Sequence, residues 1–202
     1  RGTQRVLEAA KDVGIERFIH MSAIGADPCS PWAFLRSKGM GQEAVERSGL
    51  RHTVLRPSLV AGEGDEPFAR LATLARTFPV LPVPRDGGAR FQPIWVEDVV
   101  TCILEALERP ETAGQTCERL SFDEMLDRVM DALGTRRPRV HLPLWMMYGP
   151  AWLMGRVMRD PMVTPEQLQL LTIDNVAAED AVREVFGVEP RRLSDALAYL
   201  RR

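Results

Sequence analysis

Apolar residues in the first stretch recur at helical spacing. Val6, Leu7, Ala10 and Val13 fall three and four apart, which predicts a helix from Thr3 to Val13 with Gly14 as its stop. Glu16 to Ser22 reads as a short strand, and Gly25, Asp27, Pro28 and Pro31 break the chain after it. A second helix is predicted from Trp32 to Arg47, and a second strand from His52 to Arg56, ended by Pro57. A third helix spans Pro67 to Phe78. The run Pro79 to Pro84 reads as an extended connection, because proline lacks the donor a central strand needs. Phe91 to Val96 is a further strand, and Glu97 to Leu107 a helix with acids in its first turn. Helices alternating with strands across short polar turns predict parallel βαβ units.

Beyond Pro110 the pattern becomes mainly helical. Ser121-x-x-Glu124 is a capping box opening a helix to Leu133, with Gly134 as its stop. Thr164-Pro165-x-Gln167 is a second box, and Ala178 to Phe186 and Leu193 to Leu200 fit short helices. The expected division is 1–110, the C-terminal half of a Rossmann-like domain, and 111–202, a helical lobe.

Composition narrows the class. The chain has 202 residues, enough for one large α/β domain or a domain and a small lobe. Its 26 basic and 28 acidic residues leave a net charge of −2, which argues against a nucleic-acid or polybasic membrane footprint as the main function. The hydrophobic fraction of 45% excludes a mostly disordered chain. Cys29, Cys102 and Cys117 are too few for a disulfide scaffold and fit a reducing, cytoplasmic compartment. The chain opens on Arg1-Gly2-Thr3, with no apolar signal segment and no initiator methionine, and so reads as a fragment or trimmed product.

Several motifs bear on chemistry. Gly39-Met40-Gly41-Gln42-Glu43-Ala44 carries the letters of a dinucleotide fingerprint, but inside a predicted helix rather than after a strand, where glycines turn the chain toward a pyrophosphate. Gly62-Glu63-Gly64 follows a strand and reads as a loop. His20, His52, His141 and the cysteines lack metal-ligand spacing, and neither a nucleophile elbow nor a P-loop occurs. Ser22, ending a strand, and Lys38, on the next helix, are close enough in sequence to point into one crevice at the carboxyl edge of a sheet. The competing reading is a turn serine and a solvated lysine. Arg136-Arg137-x-Arg139 reads as a solvated cationic helix end. Leu142 to Met158 is rich in methionine and tryptophan, too broken for a membrane span of about 20 apolar residues. It fits either packing within the lobe or contact with a partner or membrane surface.

Five stretches resemble the extended and atypical short-chain dehydrogenase/reductases. They are Gly2-Thr3-x-x-Val6-Leu7-Glu8-Ala9-Ala10, Arg17 to Ala26, Leu35-Arg36-Ser37-Lys38, Leu55-Arg56-Pro57-Ser58, and Phe91 to Val99. The subgroup they resemble contains the Rossmann-fold accessory subunit of respiratory complex I. The resemblance implies an α/β doubly wound sheet, here its C-terminal part, plus a small helical lobe. It implies NAD or NADP as cofactor, with binding weakened or lost because the family's first strand, glycine-rich turn and helix precede the part represented here. Lys38 matches the lysine that holds the nicotinamide ribose, Ser22 the substrate-polarising serine, and Pro57, Ser58, Leu59 and Val60 the loop against the nicotinamide. Active members carry tyrosine four residues before the lysine, as general acid/base; here that residue is Phe34, which has no proton to exchange.

The implied function is an NAD(P)-binding atypical reductase-like protein with weak or no catalysis. Its cofactor would serve structure or sensing, beside a respiratory or quinone-handling partner and peripheral to the inner membrane through 142–158, with no transmembrane segment and no nucleic acid. The alternatives are an active oxidoreductase or epimerase using another acid, and a non-enzymatic assembly subunit. Without the preceding half of its sheet, the chain is expected to be marginally stable alone.

Overall fold

A computed structural model describes residues 2–108, 120–157, 161, 163–176 and 189–201. The expected helix Ala178 to Phe186 and Cys117 lie outside them. The chain forms two compact units interleaved along the sequence, one from 1–58, 96–117 and 177–190, the other from 59–95, 118–176 and 191–202. This grouping differs from a division at residue 110, because the segment 59–95 shares its core with residues after 119.

In the first unit, α1 (Gly2–Asp12), β1 (Arg17–Met21), α2 (Ala33–Glu46), β2 (Arg51–Leu55) and α4 (Val96–Glu108) form the βα pattern expected. Strands β1 and β2 pair in parallel, Arg17 opposite Arg51 through Met21 opposite Leu55. The apolar repeat of α1 is only half used: Leu7 and Ala10 are buried, whereas Val6 and Val13 are exposed. The α2 helix packs through unusually small residues. A Cβ on Gly39 would stand 2.2 Å from the backbone carbon of Asp27, and one on Gly41 3.1 Å from Thr3 Oγ1. Glycine is required at position 39 because the loop after β1 crosses the helix in van der Waals contact. Gly39 admits a neighbouring backbone, Gly41 the side chains of Thr3 and His20, and both lie within the helix rather than in a phosphate turn.

In the second unit, α3 (Pro67–Thr77) and α5 (Phe122–Leu133) pack around one apolar core. The Ser121 hydroxyl accepts from the Glu124 amide at 3.2 Å, and the Glu124 carboxylate accepts from the Ser121 amide at 2.7 Å, closing the expected capping box. Gly134 ends α5 with φ 63°, the left-handed cap that glycine adopts without strain. The second box opens α7 (Pro165–Leu170). Leu193–Ala196 forms α8, continued by a 3-10 turn at Leu197–Arg201.

The structure differs from the sequence pattern in the proline run, in the strand at Phe91 and in part of the arginine cluster. The proline run contains a strand, β4 (Leu81–Pro84), parallel to β8 (Arg139–Leu142). Leu81 donates to Pro138 and Arg85 to Leu142, so the alternate positions, Pro82 and Pro84, turn their missing donors away from the partner strand. The expected strand Phe91 to Val96 splits into β5 (Arg90–Phe91), antiparallel to β7 (Leu120–Ser121), and β6 (Ile94–Trp95), parallel to β3 (Val60–Ala61). Pro93, at the switch of partners, cannot donate to either ladder. Of the arginines after α5, Arg136 is exposed as expected, while Arg137 and Arg139 are half-buried. Arg136 pairs with Asp131 at 2.6 Å, Arg137 donates to the Ala75 carbonyl, and Arg139 lies in β8 and donates to the Asp123 carbonyl. Leu144–Val157 forms one helix, α6, across Gly149-Pro150.

Candidate functional site

The loops leaving β1 and β2 run side by side at the carboxyl end of the pair, where open α/β sheets take their ligands. Ser22 N–H donates to Leu55 O at 2.8 Å and Ile24 N–H to Pro57 O at 3.1 Å. From α2, Lys38 reaches the same edge and donates from Nζ to the Met21 carbonyl at 3.2 Å. Phe34, one turn earlier, is 49% exposed, and its ring centre lies 5.9 Å from Lys38 Nζ. The structure thus brings Ser22, Phe34, Lys38 and Pro57 to one edge, with Ser58 next in chain. Leu59 and Val60 belong to the second unit, where the Leu59 carbonyl accepts from Ile94 and Val60 pairs with Ile94.

Lys38 has no carboxylate partner among the described residues, and an ammonium carries three donors. Two remain for a diol such as a ribose. Ser22 differs. It is only 2% exposed, and its hydroxyl donates to Gln42 Oε1 at 3.0 Å. Arg56 Nε also donates to Gln42 Oε1, at 3.1 Å, and Gln42 Nε2 donates to Glu46 Oε1 at 2.7 Å. Arginine can only donate and a carboxylate only accept, so the amide is fixed with its oxygen toward Ser22. The single serine proton is therefore committed within the protein, and Ser22 is left without a donor for a substrate carbonyl. Gln42, Glu46 and Arg56 were not singled out from the sequence. The signal available was the four-residue spacing of Lys38, Gln42 and Glu46, which places them on one helix face.

Behind this edge, His20 on β1 has its Nε2 buried without a hydrogen-bond partner. Burial, then the nearby Lys38 charge, holds its pKa below the ordinary 6.5. On α4, burial and then Asp98 and Glu105 push the Cys102 thiol up to about 11. That thiol is inert rather than nucleophilic. Among the described residues no cluster of His, Cys, Asp and Glu could hold a metal ion.

Two parallel strands, crossover helices and a basic side chain at their carboxyl edge define a Rossmann-like nucleotide-binding unit. Residues 1–92 match the family of NAD(P)H-binding domains. These matches fit the atypical short-chain dehydrogenase/reductases, to which the chain is similar. It is 28% identical over 173 residues to mitochondrial NADH dehydrogenase [ubiquinone] 1 alpha subcomplex subunit 9 of Dictyostelium discoideum, covering 81% of this chain and 47% of that protein. It is 24% identical over 252 residues to 3beta-hydroxysteroid-dehydrogenase/decarboxylase isoform 1 of Arabidopsis thaliana, covering 100% of this chain and 57% of that protein. In fold it is similar to a nucleoside-diphosphate-sugar epimerase from Staphylococcus aureus, with TM-score 0.74, 15% identity, and 99% of this chain and 70% of that chain covered. The chain spans about half the length of the curated relatives it matches.

The two donors that Lys38 keeps at this edge suit a diol. Gly39 and Gly41 are consumed by packing and offer no cradle for the pyrophosphate.

Proposed function

We propose that this chain supplies the nicotinamide-ribose side of an NAD(P) site in which hydride transfer is silent and the nucleotide serves structure or sensing. One observation carries the reading: Lys38 keeps two of its three donors beside Phe34, where the resemblance implies a tyrosine, while the Ser22 proton is spent on Gln42. Hydride transfer from a bound nicotinamide needs a proton delivered to or taken from the substrate oxygen. Neither Phe34 nor Ser22 can exchange one. Lys38 holds the ribose, and Pro57 and Ser58 border it, the Pro57 carbonyl being fixed by Ile24. Likeness to a complex I subunit supports a place in a quinone-handling respiratory assembly at a membrane surface. Among the described residues no helix is long and apolar enough to cross a membrane.

The test is isothermal titration of NADH and NADPH into the chain extended by the strand–glycine turn–helix unit that the resemblance implies. One nucleotide binds, Lys38→Ala weakens it by roughly tenfold, about 1.4 kcal/mol, and the unmodified protein oxidises no bound NAD(P)H. Absence of binding by both nucleotides, or steady turnover with Phe34 in place, overturns the reading.

A further inference from the structure

The helix α6, Leu144–Val157, presents apolar residues to solvent on a single face. Trp145 is 73% exposed, Trp152 59% and Val157 76%, and Met146 and Leu153 are exposed as well. At 100° per residue these five and Arg156 fall within one arc of about 140°. Outside that arc Ala151, on the opposite side, is buried, and the Tyr148 hydroxyl, at its flank, accepts from Gln169 on α7 at 2.7 Å. The helix is therefore held to its unit by one side and leaves tryptophan, leucine and methionine bare on the other, an arrangement water does not favour.

We infer that this face lies on an anionic phospholipid surface. The helix contains no Asp or Glu, and its one charge, Arg156, lies within the bare arc with its guanidinium 5.5 Å from the centre of the Trp152 ring. A protein groove covering the face has to supply a carboxylate for Arg156 or strand its charge. A second copy docked by the same face brings two Arg156 charges together. A phospholipid headgroup layer supplies phosphates at the depth where tryptophan rings settle, and arginine extends along apolar surface to reach them. Pro150 fixes the depth. It removes the amide that the Met146 carbonyl would receive, which interfacial water satisfies and hydrocarbon does not. The helix lies in the headgroup boundary rather than below it. This inference stands on α6 alone and does not depend on nucleotide binding.

The 202-residue chain is mixed with vesicles of phosphatidylcholine, alone or with phosphatidylglycerol, and followed by co-sedimentation and tryptophan emission, with and without NADPH. Binding with a blue shift is expected, about fivefold tighter on the anionic vesicles, and unchanged by NADPH. Trp145→Ser with Trp152→Ser weakens it by roughly tenfold or more, and Arg156→Gln removes the anionic preference. Circular dichroism and thermal melts of the variants, unchanged because the side chains are exposed, separate this from unfolding. No sedimentation with either vesicle overturns the inference, as does a dimer in equilibrium sedimentation that the tryptophan substitutions dissociate. Failure of the nucleotide titration leaves it intact.

Discussion

Helices α2 and α6 are each 14 residues long and obey opposite rules. The α2 sequence is poor in large apolar residues, yet it buries Leu35, Gly39, Gln42 and Val45 along one face. The α6 sequence is apolar almost all round, yet among its residues only Ala151 is fully buried. Burial follows what neighbouring elements supply, not hydrophobicity. Glycine lets a loop approach α2 to contact distance, and glutamine is admitted to its interior because donors and an acceptor surround its amide. The α6 helix has an apolar surplus that its own unit does not cover.

The contrast predicts different responses to substitution. Gly39→Ala on α2 forces a methyl into the Asp27–Pro28 backbone and is expected to destabilise the first unit by about 3 kcal/mol, read as a shift of the urea midpoint at constant m. Wild-type stability would show that the loop yields freely and that α2 is not fixed by this contact. A smaller effect comes from His20, beside Gly41 on β1. Burial and Lys38 lower its pKa in the folded state, so the unfolded chain binds its proton more readily. The neutral ring contributes full stability above pH 6.5, and that contribution is lost as pH falls through 6.5 toward the lowered native value. Melts between about pH 8 and about pH 5 should decline, and His20→Asn should flatten that part of the decline. Equal slopes would place the titration elsewhere. The least effect is expected on α6, where Trp145→Ser and Trp152→Ser should each leave the melt within ~0.5 kcal/mol of wild type. A large loss would mean that the face is covered within the folded chain.

Spacing marked Ser22 and Lys38 but left a turn serine and a solvated lysine as the competing reading, and Phe34 was marked only by the resemblance, which implies a tyrosine there; the β1–α2–β2 order puts them on one edge. The proline-rich strand β4 was not legible, since the rule against proline in strands looks at the residue and not at which side its nitrogen faces. Nor was the division of Phe91 to Val96 between two partners, because pairing joins residues far apart in the chain. The hydrogen bond from Ser22 to Gln42 was equally hidden: a serine at the end of a strand reads the same whether its proton is free or given to a glutamine on the next helix.

The sequence by itself determined the alternation of helix and strand and the capped ends of α5 and α7, because each depends on neighbours within a turn of the chain, and it placed at position 34 a phenylalanine with no ionisable group. Only the tertiary structure decided where Ser22 sends its proton, that Gly39 and Gly41 serve packing rather than phosphate, and which face of α6 is bare. Those depend on atoms that distant parts of the chain bring within hydrogen-bond or contact distance.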